Sequence, residues 1–344
     1  MHTLLSTLIS IPAISRDESQ KADVLESFLR EKGLAPHREA NNIWCVGKRF
    51  LETRPTVLLN AHLDTVKPVS GWIRSPHVPT LEEDRLYGLG SNDCGGGLVA
   101  LLFAFMRLCE MDEGQLPYNL VYLASAEEEV SGRNGIECAL PLLPHIDVAI
   151  VGEPTGMHPA IAEKGLMVLD CTARGVSGHA ARNEGVNAIY KAIADIEWLR
   201  NHKFARVSPF LGEVKMSVTQ VSAGTQHNVV PDSCTFVVDV RTNECYSNQE
   251  VLDEITSNLC SEVKARSTRL NSSSISENHP LVQRCVALGG VPYGSPTLSD
   301  QALMPFPSFK LGPGESSRSH TADEYICLSE LEHALQFYID LLSV

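Results

Sequence analysis

The sequence is poor in positive charge, and its cysteines form no CxxC pair. It contains 28 Lys and Arg against 42 Asp and Glu, which gives a formal net charge of −14 at pH 7. This balance argues against a basic nucleic-acid-binding face and against binding to an anionic membrane surface. The 10 cysteines are scattered, several in apolar runs. We therefore expect reduced, buried thiols in a cytosolic protein, without disulfides or a structural zinc site.

The chain also lacks obvious targeting or membrane segments. The N-terminal run Met1-His2-Thr3-Leu4-Leu5 has no basic region, and Pro12 interrupts the apolar stretch, so it does not resemble a signal peptide. No run of about 18 apolar residues stands out, which predicts that no segment spans a membrane. The 344 residues, 43% of them hydrophobic, suffice for about two domains of a soluble globular protein.

Apolar strand patterns alternate with helical patterns in the first half of the chain. An apolar helix is predicted from Leu98 to about Cys109, after three glycines. Strands are predicted near residues 42–47, 56–60, 119–125 and 148–151. The alternation predicts an α/β domain with a mostly parallel mixed sheet, in which ligands bind beyond the carboxyl ends of the strands.

Local signals also predict the ends of an early helix. Ser15 and Glu18 have the spacing of a capping box, with Ser15 as the N-cap. Gly33 follows the last apolar position of the pattern and is predicted as the glycine that ends the helix. We therefore expect a helix that begins just after Ser15 and ends before Gly33.

The pattern changes near Gly165. The following segment has a β-α-β-β-α-β order, typical of a split ferredoxin-like α+β arrangement, although its last strand is unclear. Helices are predicted at 186–199 and 249–263. We interpret this segment as a domain inserted between two halves of the first, so the predicted domains are 1–166 together with 277–344, and 167–276.

Five sequence-distant elements carry the residue types of a metal site. They are His62, Asp93, the triplet Glu127–Glu129, Glu153 and His320. Imidazoles and carboxylates suit zinc-like ions, one carboxylate can bridge two ions, and a further carboxylate can act as a general base. Asp64 lies two residues after His62 on an extended segment and could orient its ring. Taken singly, each element also fits an ordinary structural role, such as a solvated loop, a helix N-cap or a turn.

Together these elements resemble the M20 metallopeptidase family over essentially the whole chain. The matching runs are His62-Leu63-Asp64, Gly88 to Gly96, Glu127-Glu128-Glu129, Gly152-Glu153-Pro154-Thr155, and Gly312-Pro313-Gly314 ahead of His320. The resemblance implies a zinc-exopeptidase-like catalytic domain with two divalent metal ions, Zn²⁺ or Co²⁺, and an inserted dimerisation (lid) domain. It also implies a cytoplasmic homodimer that acts on a small-molecule N-acyl amino acid.

The resemblance further implies a role for each matched residue near the metals. The implied ligands, two for each ion and one bridging, are His62 with Glu153, Glu129 with His320, and Asp93. Asp64 would orient His62, and Glu128 would be the general base. The all-glutamate triplet leaves a one-residue ambiguity in this register, and the following Val130-Ser131-Gly132 favours the register in which the middle glutamate is the base.

Three residues of the inserted domain have implied roles as well. His179, in the run Gly178-His179-Ala180, would stabilise the oxyanion in a neighbouring active site. Asn228 and Arg241 would contact the carboxylate of the substrate. Their ordinary alternatives are a loop-capping role for His179 and strand-end polar positions for the other two.

The chain departs from the family beside Asp93, where Cys94-Gly95-Gly96 replaces the Met-Lys-Gly of many members. Cys94 lies next to the implied ligand Asp93, where a thiol could be oxidised or compete for a metal ion, but a buried structural thiol is the favoured expectation. Chain length and the short loop around Gly312 are most similar to the branch that converts N2-acetyl-L-ornithine to L-ornithine and acetate in arginine biosynthesis. The alternatives are a desuccinylase of N-succinyl-ornithine or N-succinyl-diaminopimelate, a di- or tripeptidase on the same scaffold, and a non-catalytic metal-binding dimer.

Overall fold

The computed structural model describes residues 1–112, 114–182 and 184–344. The chain divides into two compact units. The first comprises Met1–Ile161, Ser274–Tyr293 and Ser299–Val344, and the second comprises Ala162–Ser273 and Gly294–Leu298.

Helices and strands are numbered in chain order. The α-helices are α1 (His2–Ile9), α2 (Ser19–Glu31), α3 (Gly96–Glu110), α4 (Ile136–Ala139), α5 (Ala188–Asn201), α6 (Asn248–Asn258), α7 (Pro280–Ala287) and α8 (Leu328–Leu342). The strands are β1 (His37–Glu39), β2 (Asn42–Val46), β3 (Thr56–His62), β4 (Thr80–Glu82), β5 (Arg85–Tyr87), β6 (Asn119–Ser125), β7 (Val148–Val151), β8 (Ala160–Glu163), β9 (Met167–Arg174), β10 (Gly178–His179), β11 (Lys215–Ala223), β12 (Val229–Val230), β13 (Ser233–Arg241), β14 (Glu262–Ala265), β15 (Ser273–Ser274), β16 (Tyr293–Ser295), β17 (Ser308–Lys310) and β18 (Tyr325–Cys327).

The first unit is built around a mixed sheet whose central strands are parallel. In the order β1-β2-β6-β3-β7-β17, the pairs from β6 to β17 are parallel and the two outer pairs are antiparallel. Every residue of β3, β6 and β7 is buried, because these strands are almost continuously apolar. Their carboxyl ends, at His62, Ser125 and Val151, lie along one edge of the sheet. The predicted α/β class with a mostly parallel sheet is confirmed.

Helix α3 is the buried helix of the first unit and packs against α8 and β3. Together with the turn before it, the segment Ser91–Glu110 is 20 residues long and apolar enough to cross a membrane. Asp93 and Arg107 interrupt the apolar run, as expected of a chain without about 18 consecutive apolar residues, but the mean hydropathy of the segment, 1.3, is still high enough. Of the most apolar window in this segment, 67% is buried inside the protein, which is also the property of a core helix.

The predicted capping box at Ser15 is wrong. Helix α2 begins at Ser19 and its N-cap is Glu18, with no side-chain cap. The hydroxyl of Ser15 instead donates to Oδ2 of Asp64 at 2.6 Å, so a contact across 49 residues replaces the expected local one. The end of the helix is as predicted, because Gly33 follows it with a φ of +74° that glycine adopts without strain.

The second unit contains an antiparallel sheet in the order β11-β13-β9-β14. The chain order β9-α5-β11-β13-α6-β14 is the predicted β-α-β-β-α-β order, and its last strand is now defined. The predicted helix 249–263 ends earlier, at Asn258, because the buried carboxylate of Asp195 accepts the backbone N–H groups of Cys260 and Ser261 just before β14 begins.

Candidate active site

His62 ends β3 at the carboxyl edge of the sheet, and its ring is held on one side by Asp64. Nδ1 of His62 lies 3.0 Å from the backbone oxygen of Asp64 and 3.6 Å from Oδ1 of the same residue. A proton on Nδ1 donates to that carbonyl and leaves Nε2 to face the centre of the site. The orienting contact expected from the Asp64 carboxylate is thus made mainly by its main chain.

The carboxylate of Asp64 also accepts hydrogen bonds from the loop of the glutamate triplet and so holds that loop in place. Its Oδ1 accepts the backbone N–H of Glu128 at 3.1 Å, and its Oδ2 accepts that of Glu129 at 3.2 Å. Oδ2 also accepts the hydroxyl of Ser15. One buried carboxylate therefore ties the position of His62 to the positions of two predicted site glutamates.

Asp93 lies between the two predicted site histidines. Its Oδ1 is 3.1 Å from Nε2 of His62, and its Oδ2 is 3.6 Å from Nε2 of His320. Each histidine also faces a glutamate: Oε1 of Glu153 lies 3.6 Å from His62 Nε2, and Oε2 of Glu129 lies 3.0 Å from His320 Nε2. The site therefore contains two sets of possible metal ligands, one around each histidine, and Asp93 belongs to both sets.

This arrangement fits a pair of divalent cations. Burial lowers the pKa of His62, but the hydrogen bond with Asp93 and the neighbouring carboxylates outweigh it and raise the pKa well above its usual range. The hydrogen bond with Glu129 raises the pKa of His320 to about 9. Both imidazoles thus attract protons because the carboxylates around them favour positive charge. Metal ions that replace those protons supply the same positive charge, and the donor types are those that zinc prefers.

The glutamate triplet presents its members in different directions. Glu127 accepts a hydrogen bond from the side chain of Asn134 at 3.0 Å, outside the histidine cluster. Oε2 of Glu128 lies 3.9 Å from Nε2 of His62, and Glu129 faces His320. Burial raises the pKa of Glu128 well above its usual range. This geometry favours the register in which Glu128 is the base and Glu129 a ligand.

Glu324 is a site residue that the sequence reasoning missed. Its side chain is buried and accepts three backbone N–H groups of the loop that carries Asp93, from Gly90 at 3.1 Å, Asn92 at 2.8 Å and Asp93 at 2.9 Å. Burial raises the pKa of Glu324 to about 7, although the hydrogen bonds oppose the rise. A lone acid four residues after His320 gave no local signal of this role.

Two further buried residues near the site were also missed. The carboxylate of Asp300 accepts the hydroxyl of Ser125 at 2.5 Å, at the carboxyl end of β6. Burial raises the pKa of Asp300 to about 6. Lys310, the last residue of β17, is buried, and its positive charge opposes the rise that burial causes in the pKa of Glu153, which reaches about 7.

The run Cys94-Gly95-Gly96, which differs from the sequence of many family members beside Asp93, has a steric explanation. Cys94 is buried, as expected, and its thiol donates to the backbone oxygen of Gly152 at 3.0 Å. At Gly95, where many family members have lysine, an added Cβ would lie 2.4 Å from the backbone oxygen of Gly90. A side chain at position 95 is therefore incompatible with this loop as it stands.

The remaining predicted residues lie in the second unit. His179 ends β10, which pairs with β12, and the backbone oxygen of exposed Asn228 accepts the N–H of Ala180 at 3.1 Å, so His179 and Asn228 are close neighbours. Arg241 ends β13 and donates from Nε and Nη2 to the carboxylate of Asp239, at 2.8 and 3.1 Å.

The fold and the donor set define the class of this protein as an α/β metal-dependent hydrolase. Residues 58–343 match the model of peptidase family M20/M25/M40, and the chain belongs to this family. It is a hydrolase that acts on amides.

Relatives and solved structures agree with the family. The chain is 31% identical over 304 residues to acetylornithine deacetylase of Proteus mirabilis, covering 80% of this chain and 76% of that one. It is 29% identical over 266 residues to succinyl-diaminopimelate desuccinylase of Corynebacterium glutamicum, covering 74% and 70%. Its fold is similar to aminopeptidase PepT from Bacillus cereus, with a TM-score of 0.79 at 16% identity, covering 99% and 96%. It is also similar to the dinuclear metal-binding peptidase YXEP from Bacillus subtilis, with a TM-score of 0.74 at 17% identity, covering 99% and 96%.

Proposed function

We propose that this protein is a cytoplasmic dimetal amidohydrolase that removes the acyl group from an N-acyl amino acid, with N2-acetyl-L-ornithine as the favoured substrate. The observation that carries the proposal is Asp93, whose two carboxylate oxygens face different histidines while Glu128 lies beside them. The acetylornithine deacetylase relative supports the choice of substrate. The acidic balance of the chain is compatible with the cationic side chain of ornithine.

The proposed ligands are those implied by the resemblance: His62 with Glu153, Glu129 with His320, and Asp93 between them. A pair of Zn²⁺ or Co²⁺ ions bound there would lower the pKa of a water molecule and polarise the amide carbonyl. Glu128 takes a proton from the water that attacks the amide carbonyl and later delivers it to the amine as the C–N bond breaks. Its burial suits this role, because a raised pKa lets the carboxyl group hold the proton between the two steps.

The substrate is tested by a panel assayed with the zinc-loaded and the cobalt-loaded enzyme. The panel contains N2-acetyl-L-ornithine, N-succinyl-L-ornithine, N-succinyl-diaminopimelate, N-acetylcitrulline and several di- and tripeptides. We expect the highest kcat/KM on N2-acetyl-L-ornithine, loss of activity after chelation, and recovery when metal is restored. If a succinyl compound or a peptide is turned over fastest, the protein is a desuccinylase or a peptidase instead. Binding of two metals with no turnover would favour a non-catalytic dimer.

We further propose that the protein is a homodimer formed through its second unit. Strand β11 is an edge strand of the four-stranded sheet and is largely exposed. Val221 on this strand is 59% exposed, and Tyr190 and Ile193 lie three residues apart on α5, which packs against β11. An unpaired strand edge next to exposed apolar side chains is a surface suited to association of two copies.

The proposed role of His179 predicts complementation between two inactive variants. H179A should lower kcat by about 10²–10³-fold, because an oxyanion donor is lost. If His179 acts on the active site of the neighbouring subunit, mixed dimers of H179A and E128Q contain one intact site. After unfolding and refolding together, an equal mixture should recover about a quarter of wild-type activity.

The control is H227A, which removes an exposed histidine beside Asn228 and should leave kcat nearly unchanged. A mixture that stays as inactive as its components would mean that His179 does not serve a second subunit. If H179A alone keeps the wild-type kcat, His179 takes no part in the reaction.

A further inference from the structure

The loop that carries the glutamate triplet, residues 126–135, closes on itself and is called the triplet loop below. It follows β6, and a Cβ added at Gly135 would lie 2.3 Å from the backbone oxygen of Ala126, so the two ends of the loop are in contact. Within the loop, Glu127 and Ser131 have positive φ angles of 52° and 45°, which residues other than glycine adopt at a cost. Hydrogen bonds must offset that cost if the loop is to keep its shape.

Asn42 binds both ends of the triplet loop through its side-chain amide. This residue begins β2, which pairs with β6, and it is fully buried. Its Oδ1 accepts the backbone N–H of Ala126 at 2.9 Å, and its Nδ2 donates to the backbone oxygen of Asn134 at 2.7 Å. Nδ2 also donates to the backbone oxygen of Glu39 in β1 at 3.0 Å. One side chain thus closes the loop at the point where its ends meet.

The two contacts explain why position 42 carries an amide. Ala126 presents an N–H group and Asn134 presents a carbonyl oxygen, so the side chain must accept and donate at the same time. An ionised aspartate offers only acceptors, and alanine offers neither. An apolar residue would otherwise suit this buried strand, which continues with Ile43, Trp44 and Cys45.

The middle of the triplet loop is bound separately, by Asp64. The carboxylate of Asp64 accepts the backbone N–H groups of Glu128 and Glu129. Hydrogen bonds to two adjacent N–H groups hold one point of a loop but do not prevent the loop from rotating about that point. The bonds from Asn42 to the two ends remove this freedom, so both residues are needed to direct the side chains of the triplet.

We propose that Asn42 is a positioning residue that fixes Glu128 and Glu129 at the candidate metal site by closing the triplet loop. It acts through the backbone of Ala126 and Asn134 and not as a catalytic group. The inference rests on the proposed function for the roles of Glu128 as base and Glu129 as ligand. The closure of the loop does not depend on the identity of the substrate.

The test compares N42D with N119D, two aspartate variants at buried asparagines of the same sheet. Asn119 lies at the opposite end of β6 from the triplet loop, where its amide accepts the N–H of Leu51 and donates to the backbone oxygens of Leu51 and Arg54. Aspartate has nearly the same shape, so each variant loses the donor and keeps an acceptor. We expect both variants to lower Tm by several degrees, because each leaves backbone oxygens without their donor.

Only N42D should affect the candidate site. With saturating metal, its kcat should fall about 10–100-fold while KM changes less than about threefold, because small displacements of reacting groups are costly. N119D should keep both constants within about twofold. In the metal-free proteins, amide hydrogen exchange of residues 126–135 should become faster in N42D and not in N119D. Equal losses of kcat in the two variants, unchanged exchange of the triplet loop in N42D, or a loosened loop with wild-type kcat would each overturn the proposal.

The outcomes also separate this inference from the proposed function. If no N-acyl amino acid or peptide is hydrolysed, the proposed function fails, while hydrogen exchange and metal affinity still decide the role of Asn42. N42D should then bind Zn²⁺ about tenfold more weakly than N119D, measured by competition with a chelator. If N42D does not fold, N42A takes its place, because it adds no buried charge and should show the same faster exchange. If N42A also fails to fold, or if the Ala126 amide exchanges freely in the metal-free wild type, the proposal is overturned.

Discussion

Replacement of Glu128 by glutamine should lower kcat by about 10²–10⁴-fold, the range attributed to a lost general acid–base group. Glutamine has nearly the same shape but can neither take a proton from water nor deliver one to the leaving amine. The backbone N–H of residue 128 still donates to Asp64, so the loop should keep its position. Metal analysis of the purified E128Q protein should therefore give the same metal content as the wild type.

The matched control is E127Q, one residue earlier in the triplet. Glu127 accepts a hydrogen bond from Asn134 and does not face the histidines, so E127Q should keep most of its activity. If E127Q loses turnover while E128Q retains it, the register of the triplet is shifted by one residue. A near-wild-type kcat in both variants would mean that neither Glu127 nor Glu128 transfers the proton.

Much of the fold was predictable because its signals are local. The strands at 119–125 and 148–151 have the bounds that their apolar runs predict. In a mostly parallel sheet, polar residues that follow such strands meet at one edge, so His62 and Glu153 could be expected to lie together on sequence alone. The structure places carboxylate oxygens of Asp93 and Glu153 within 3.6 Å of Nε2 of His62.

The features that were not predicted depend on contacts between residues that are distant in sequence. Ser15 has the spacing of a helix cap, but a buried carboxylate 49 residues away accepts its hydroxyl instead. Glu324 carries no local pattern, since the N–H groups that define its role come from a distant part of the chain. The helix at 249–263 was predicted too long because Asp195, on another helix, ends it. In each case the local structure depends on a buried charged group. The pattern of apolar residues in a sequence does not show which groups such a charge contacts.

Truncation of Glu324 to alanine should weaken metal binding more than any other change outside the proposed ligands. The variant removes the acceptor of three backbone N–H groups in the loop from Gly90 to Asp93. A buried donor left without a partner costs about 1–3 kcal/mol, so the loop is expected to move until these groups reach water or other acceptors. Asp93 moves with it, and one carboxylate no longer faces both histidines. We expect metal affinity, measured by competition with a chelator, to fall by at least the roughly 10–100-fold typical of lost outer-shell partners.

The adjacent residue supplies the control for this prediction. Asp323 also uses its carboxylate to accept backbone N–H groups, but from Ile73 and Arg74, outside the loop of Asp93. D323A should therefore lower thermal stability without a comparable loss of metal affinity, whereas E324A should lose both. Equal metal affinities in the two variants would mean that the loop holds Asp93 in place without Glu324. The position of the proposed bridging carboxylate would then depend on the metal ions and not on the protein around it.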